Sequence, residues 1–226
     1  PPLKLMLPAV VNSAAPESIW WRDSCWSSIE TTLLHGFRWP STRSIASEMP
    51  SLNPPGDRIH RINPDCTVHA RTEFFTSQTA DSILSGGFDY LIDAIDGLTN
   101  KCLLIDECRM RKIPIITCGA AGGRRDGTAV RVTDLTRAKY DKLLFKVRKQ
   151  LRQKHDFPRG TKKWQLPCVY SAEPVQYPQP DGTVCENKSE SGESLKLNCE
   201  AGLGAVTHVT AAFGLAAAGH VVGELA

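Results

Sequence analysis

The chain has 226 residues, with 27 Lys and Arg against 24 Asp and Glu, a formal net charge of +3. That length carries one α/β domain with a substantial core, or a small domain plus an appendage. The 41% hydrophobic and 23% charged residues are ordinary for a soluble protein. They set aside fibrous and low-complexity classes, and so small a net charge points to no partner by itself.

Residues 1–57 stand apart. Trp20, Trp21, Trp26 and Trp39 fall here, and prolines punctuate the stretch from Pro1 to Pro55. No helical or strand period lasts beyond a few residues, so an irregular region is expected. "PPLKLMLPAVVNSAAP" lacks the longer apolar run that a signal peptide needs.

Order begins near Asp57. "DRIHRI" reads as a helix end that "NPD" stops, because proline disfavours helix in the residue before it. "CTVHARTEFF" alternates as a strand. "TSQTADSILSGG" reads as a short helix, with Thr76 capping its start and Gly86 taking the left-handed stop. "FDYLIDAID" and "IPIITCG" are apolar strands of the buried parallel kind. Between them "LTNKCLLIDECRMRK" is a helix with Cys102, Ile105 and Met110 near one face. "AVRVTDL" is a further strand after the Asp126-Gly127 turn. The strand–helix–strand rhythm predicts a Rossmann-like α/β fold, a mostly parallel sheet with helices on both faces and an atypical N-terminal part.

In "TRAKYDKLLFKVRKQLRQKHDF", Tyr140, Leu143, Leu144, Val147 and Leu151 recur at helical spacing. The other face carries Arg137, Lys139, Lys142, Lys146, Arg148, Lys149, Arg152 and Lys154, and Arg159, Lys162 and Lys163 continue it. Few acids are interleaved. Such a run is either a solvated face or a phosphate-backbone patch for nucleic acid. "ENKSESGESLK" reads as a loop between Cys185 and Cys199. These two thiols alone make a weak metal argument, since structural zinc takes four ligands. The final "AGLGAVTHVTAAFGLAAAGHVVGELA" has the length of a membrane span. Its Ala and Gly content, with His208 and His220, favours a buried helix packed through small residues.

The 8 cysteines read as reduced cytosolic thiols rather than a secreted framework. Cys102, Cys108 and Cys118 lie in apolar patterns where buried free thiols are common. No CxxC pair suggests a redox motif or zinc ribbon.

"FDYLIDAIDGLTNKCLLIDECRMRKIPIITCGAAGG", "CVYSAEPVQYPQPDG" and "NCEAGLGAVTHVTAAFGLAAAGH" together resemble the ThiF/MoeB superfamily of adenylating enzymes, and within it the branch of tRNA threonylcarbamoyladenosine dehydratases. The resemblance runs from about residue 58 to the carboxyl end, so residues 58–226 read as a ThiF-type domain, incomplete at its start. It implies ATP and magnesium as cofactors. It also implies adenylation of a carboxylate on a modified adenosine of tRNA, then ring closure with loss of AMP and, in net, of water. As partners it implies tRNA, a second copy of the chain in a homodimer and, in some bacteria, a cysteine desulfurase system. Membrane association is not expected, and a cytoplasmic location is.

The second aspartate of the family's "DxxD" strand end faces ATP phosphates and magnesium. Here that is Asp96, at the carboxyl end of a parallel strand, where ligands of such sheets bind. A carboxylate is also a hard ligand suited to magnesium. The alternative is an aspartate capping the next helix. Asp93 reads as structural. Cys199 matches a family cysteine near the site, either as a nucleophile or as an inert thiol. His208 and His220 read as packing residues.

One departure matters. The family opens with a strand and a glycine-rich turn of GxGGVG type, whose backbone N–H groups approach the phosphates. No such turn occurs before Asp57, and the family's "NRQ"-type arginine and "PK"-type lysine are not found. The expectation is that residues 1–57 are replaced sequence and that ATP binding is impaired. Three outcomes stay open: an ATP-dependent tRNA-modifying enzyme, a non-catalytic tRNA- or protein-binding remnant, and a product unable to fold.

Overall fold

Two runs of four buried residues set the centre of the sheet. β2 (Tyr90–Asp93) and β3 (Ile115–Cys118) are buried at every position, as a parallel strand covered on both faces must be. The computed structural model describes residues 5–6, 59, 61–65, 67–69, 71, 73–178, 184–185 and 204–226. β1 is Leu5–Met6, β4 is Val130–Asp134 and β5 is Pro167–Ser171. The sheet order is β1-β2-β3-β5-β4, and only β4 runs antiparallel, on β5 at the edge. β6 (Tyr177–Pro178) and β7 (Val184–Cys185) form a separate antiparallel pair.

Helices cover both faces. α1 (Ala80–Leu84), α2 (Leu98–Arg111) and α3 (Lys142–Lys154) share one core with Leu91, Ile115 and Cys168. α4 (Thr207–Leu225) shares the other with Tyr90, Ile92, Ile116 and Val169. The period-2 pleat divides Leu91 from Tyr90 and Ile92, and Ile115 from Ile116. The Rossmann-like, mostly parallel sheet expected from the sequence is therefore observed.

Local chemistry ends the helices. Asp141 caps α3, its carboxylate accepting from the Leu144 N–H at 2.8 Å, an N-cap to N3 bond. α2 stops at Lys112, which is left-handed with φ 57°; the Ile113 N–H returns to the Cys108 carbonyl at 2.9 Å, a Schellman closure.

Several expectations are corrected. Residues 67–69, 71 and 73–75 form no strand. Thr67, His69, Arg71, Glu73 and Phe74 are exposed, Val68 is half-buried and Phe75 is buried. Thr79, not Thr76, precedes α1, and its hydroxyl donates to the Phe74 carbonyl at 2.6 Å. Ser85 ends α1 in a right-handed conformation, and the left-handed glycine is Gly87, with φ 64°. Met110 is 71% exposed, because the buried seam of α2 is Lys101, Cys102, Leu104, Ile105 and Cys108. Tyr140 lies before α3 in a left-handed conformation and is exposed, while Leu144, Val147 and Leu151 carry the buried face.

The chain divides into two units, Thr32–Glu73 and Pro1–Thr31 with Phe74–Ala226. In the first, Ile59, Arg61 and Ile62 are helical and the helix ends at Asn63, whose N–H donates to the Ile59 carbonyl at 2.8 Å. Cys102, Cys108, Cys118 and Cys168 are free and buried. Burial pushes the Cys102 and Cys108 thiols up to about 12, which makes them poor nucleophiles. No helix among the described residues is long and apolar enough to cross a membrane.

Candidate functional site

The parallel strands β2, β3 and β5 end together, and the loops that follow carry buried charge. After β2, Asp93 is fully buried and accepts three contacts. They come from Lys101 Nζ at 2.9 Å, the Thr117 hydroxyl at 2.6 Å and the Ile95 N–H at 2.9 Å. Lys101 is equally buried and also donates to the Ile95 carbonyl at 2.9 Å. The pair welds the end of β2 to the first turn of α2. Removing one member of such a pair leaves an uncompensated buried charge.

Three residues on, Asp96 is exposed. The surrounding protein raises its carboxyl pKa by desolvation; Lys101 opposes this and Asp93 adds to it. The two aspartates are thereby separated in role. Asp93 is consumed by the fold, whereas Asp96 faces outward at the carboxyl end of the strand.

After β3, Gly119 has no room for a side chain: a Cβ would lie 2.1 Å from Asp141 Oδ2. Asp141 also accepts from the Ala120 N–H at 2.9 Å, so one carboxylate ties the end of β3 to the start of α3. Burial raises its pKa, against those hydrogen bonds and the charges of Arg124 and Lys101.

Arg124 is 1% exposed. Its Nη2 donates to the Tyr140 carbonyl, while Nε and Nη1 have no hydrogen-bond partner. Its backbone neighbours are clamped by two segments. Glu173 accepts from the Arg125 and Asp126 N–H groups at 2.9 and 3.0 Å, and the Gln176 N–H donates to the Gly123 carbonyl at 2.8 Å. The Gly123 N–H donates to the Gly204 carbonyl at 3.0 Å, and His208 Nε2 donates to the Arg125 carbonyl at 2.6 Å. The "SAEPVQY" and "GAVTH" blocks thus hold the loop after β3. His220 packs edge-on against Tyr90, with ring centroids 6.2 Å apart.

The six cations expected to meet nucleic acid do not share one environment. Lys142 donates to the Tyr177 hydroxyl and lies 4.6 Å from that ring. Arg148 is half-buried and donates to the carbonyls of Leu135 and Ala138 at 2.9 and 3.0 Å. Arg152 donates to the Gly160 carbonyl at 3.3 Å. Lys146, Lys149 and Lys154 are exposed.

Cys199 and the side chain of Cys185 lie outside the described residues, as do nearly all of residues 1–57. Among the described residues no group of three or more His, Cys, Asp or Glu side chains converges to hold a metal. Sequence reasoning missed Lys101, Arg124, Asp141 and Glu173 as parts of this end of the sheet. One signal was available: Lys101 interrupts the apolar seam at Leu104, Ile105 and Cys108, where a lysine must find a buried partner. Nothing in sequence spacing foretold the other three.

Residues 56–223 match the ThiF family. The tRNA threonylcarbamoyladenosine dehydratase of Escherichia coli (strain K12) is 40% identical over 170 residues, which are 75% of this chain and 63% of that protein. The enzyme of the same name from Haemophilus influenzae is 38% identical over 170 residues, 75% of this chain and 62% of that one. The solved structure of the E. coli enzyme in complex with ATP superposes with a TM-score of 0.63 at 35% identity, covering 75% of this chain and 61% of the other. Its AMP complex gives 0.63 at 36% identity, with the same coverage.

Proposed function

The chain belongs to the ThiF family, and on that premise we propose that it cyclises the threonylcarbamoyl group of a modified tRNA adenosine at the expense of ATP, through an acyl-adenylate. The observation that supports this most is its likeness to the ATP-bound E. coli enzyme across the sheet whose strand end carries the outward carboxylate of Asp96.

Among the described residues, the exposed carboxylate of Asp96 suits a cation beside a nucleotide. Magnesium is commonly held by one or two carboxylates together with phosphate oxygens, and Asp96 supplies one such carboxylate. Asp93 does not compete, because Lys101 and Thr117 occupy it. ATP, when bound, supplies the adenylyl group that turns a poor electrophile into a reactive one. The chain's own part is positioning and charge stabilisation. Asp96 would hold the cation, and the Asp93–Lys101 pair fixes the strand end from which Asp96 projects. Asp141 fixes the loop after β3 on the other side. Cys199 stays a proposal for a thiol close to the chemistry. The sequence of residues 1–57 contains no glycine-rich turn.

We place tRNA on the exposed side of α3, at Lys142, Lys146, Arg148, Lys149, Arg152 and Lys154. A homodimer would find on α4 an exposed face of Leu215, Gly219 and Val222, and sedimentation equilibrium reads that state directly. The catalytic reading is tested by incubating the chain with threonylcarbamoylated tRNA and MgATP, then analysing the digested nucleosides by mass spectrometry. A nucleoside lighter by one water, with matching AMP, is expected. Unchanged nucleoside would overturn it and leave a second reading, a tRNA-binding remnant without catalysis, which the exposed lysines of α3 favour.

A further inference from the structure

The outer side of α3 is not a uniform field of charge. It holds a groove of about 380 Å³ lined by Phe145, Arg148, Lys149, Arg152, Gln153, Arg159 and Gly160. Four of these seven residues are cationic and none is acidic. None belongs to the cluster at the strand ends. Phe145 is apolar, large and 60% exposed, with the Arg148 guanidinium 5.9 Å from its ring centre.

The wall of the groove is held from behind. The Arg152 guanidinium lies 5.1 Å over the Trp164 ring, and Trp164 packs on Phe157 at 4.8 Å. Arg109 covers Phe157 at 4.3 Å. Arg152 Nη2 reaches the Gly160 carbonyl, and its Nε is buried with no hydrogen-bond partner. Arg148 is fixed by two carbonyls. Two cations are therefore pre-positioned, while Lys149 and Arg159 are exposed and have no carboxylate ion-pair partner among the described residues.

Cations alone would suit any phosphate backbone. An exposed aromatic ring among them suits a partner with an unpaired base, because a paired base hides its faces in the helix. We infer that this groove binds a single-stranded segment of RNA, with phosphates on Arg148, Lys149, Arg152 and Arg159 and a base stacked on Phe145. The choice of RNA rests on the tRNA reading above. The groove narrows that reading: of the six α3 cations, Arg148, Lys149 and Arg152 line it, Arg159 joins them, and Lys142, Lys146 and Lys154 lie outside it.

The test is fluorescence anisotropy with a labelled single-stranded oligouridine and a duplex RNA of the same length, on the whole chain. Wild type is expected to bind the single strand with strong salt dependence. Lys149→Glu with Arg159→Glu should lower affinity at least tenfold and reduce the salt slope by about 1.4, at roughly 0.7 per phosphate contact. Phe145→Ala should cost about tenfold on the single strand and leave duplex affinity unchanged. Melting temperatures measured alongside keep the comparison among folded proteins. Absent wild-type binding, or unchanged affinity in these variants, overturns the inference. The cyclisation assay separates the two claims. Oligouridine binding lost in the variants without any cyclised product would sink the enzyme and leave the groove. Cyclised product with unchanged variant binding would do the reverse.

Discussion

At the strand ends Asp93, Lys101, Asp141 and Arg124 are buried. Along the outer side of α3, Lys146, Lys149 and Lys154 stand in water. Both regions are rich in charge, yet each carboxylate of the first has named donors, and the exposed lysines of the second have none among the described residues. Burial explains the difference. A buried ion is costly unless it is paired or hydrogen-bonded; Asp93, Lys101 and Asp141 meet that condition, so their charges belong to the fold. A solvated lysine needs no partner and remains available for a ligand. Charge at the strand ends is thus tied into the fold beside Asp96, and charge on α3 is exposed to solvent.

The comparison breaks most visibly at Lys101. Lys101→Met leaves Asp93 buried with only the Thr117 hydroxyl and the Ile95 N–H. Urea denaturation should show a loss of about 3–5 kcal/mol, largely recovered when Asp93→Asn is added. A single-variant loss under about 1 kcal/mol would mean that the pair does not hold the strand end.

Next comes the tie between Gly119 and Asp141. Gly119→Ala should cost about 1–3 kcal/mol through overpacking, and Asp141→Ala about 1 kcal/mol or more as a lost helix cap. The double variant should cost less than the sum, since removing the carboxylate removes the clash. Strict additivity by thermal unfolding would contradict the geometry.

A pH effect is smaller. Burial pushes Asp134 upward, but bonds from the Thr136 hydroxyl and N–H, the Trp164 N–H and the Leu166 N–H outweigh it. Its carboxyl is held below the usual carboxylate range. A carboxylate depressed in the folded state contributes stability above its unfolded pKa of about 3.9, and loses it as pH falls through the lower folded value. Asp134→Asn should therefore flatten the acid limb of a melting-temperature profile below about pH 4. An unchanged limb would count against the shift.

The smallest effect lies on α3. Lys149→Glu with Arg159→Glu should move stability by no more than about 0.5 kcal/mol. A larger loss would show that these cations serve the fold after all.

What could be read in the sequence follows the same division. β2, β3, α2 and α3 were legible because an apolar run or a helical period is a local property of the chain. Met110 and Tyr140 were misplaced because a one-residue drift around the helix, or a left-handed residue before it, escapes a period count. The alternation of residues 66–75 imitated a strand, but its described residues pair with no neighbouring strand. Asp96 was reached through the family's "DxxD" pattern. The Asp93–Lys101 pair, the tie from Asp141 to Ala120 and the enclosure of Arg124 join residues from different elements, which no local pattern specifies. Cys199 and nearly all of residues 1–57 lie outside the described residues, so their expected roles stand as stated.

The most direct measurement is a calorimetric titration of MgATP into the folded chain and into Asp96→Ala. Saturable binding is predicted for the first and none for the second. No saturable heat from the folded chain, or equal binding by Asp96→Ala, would contradict a nucleotide site at this strand end.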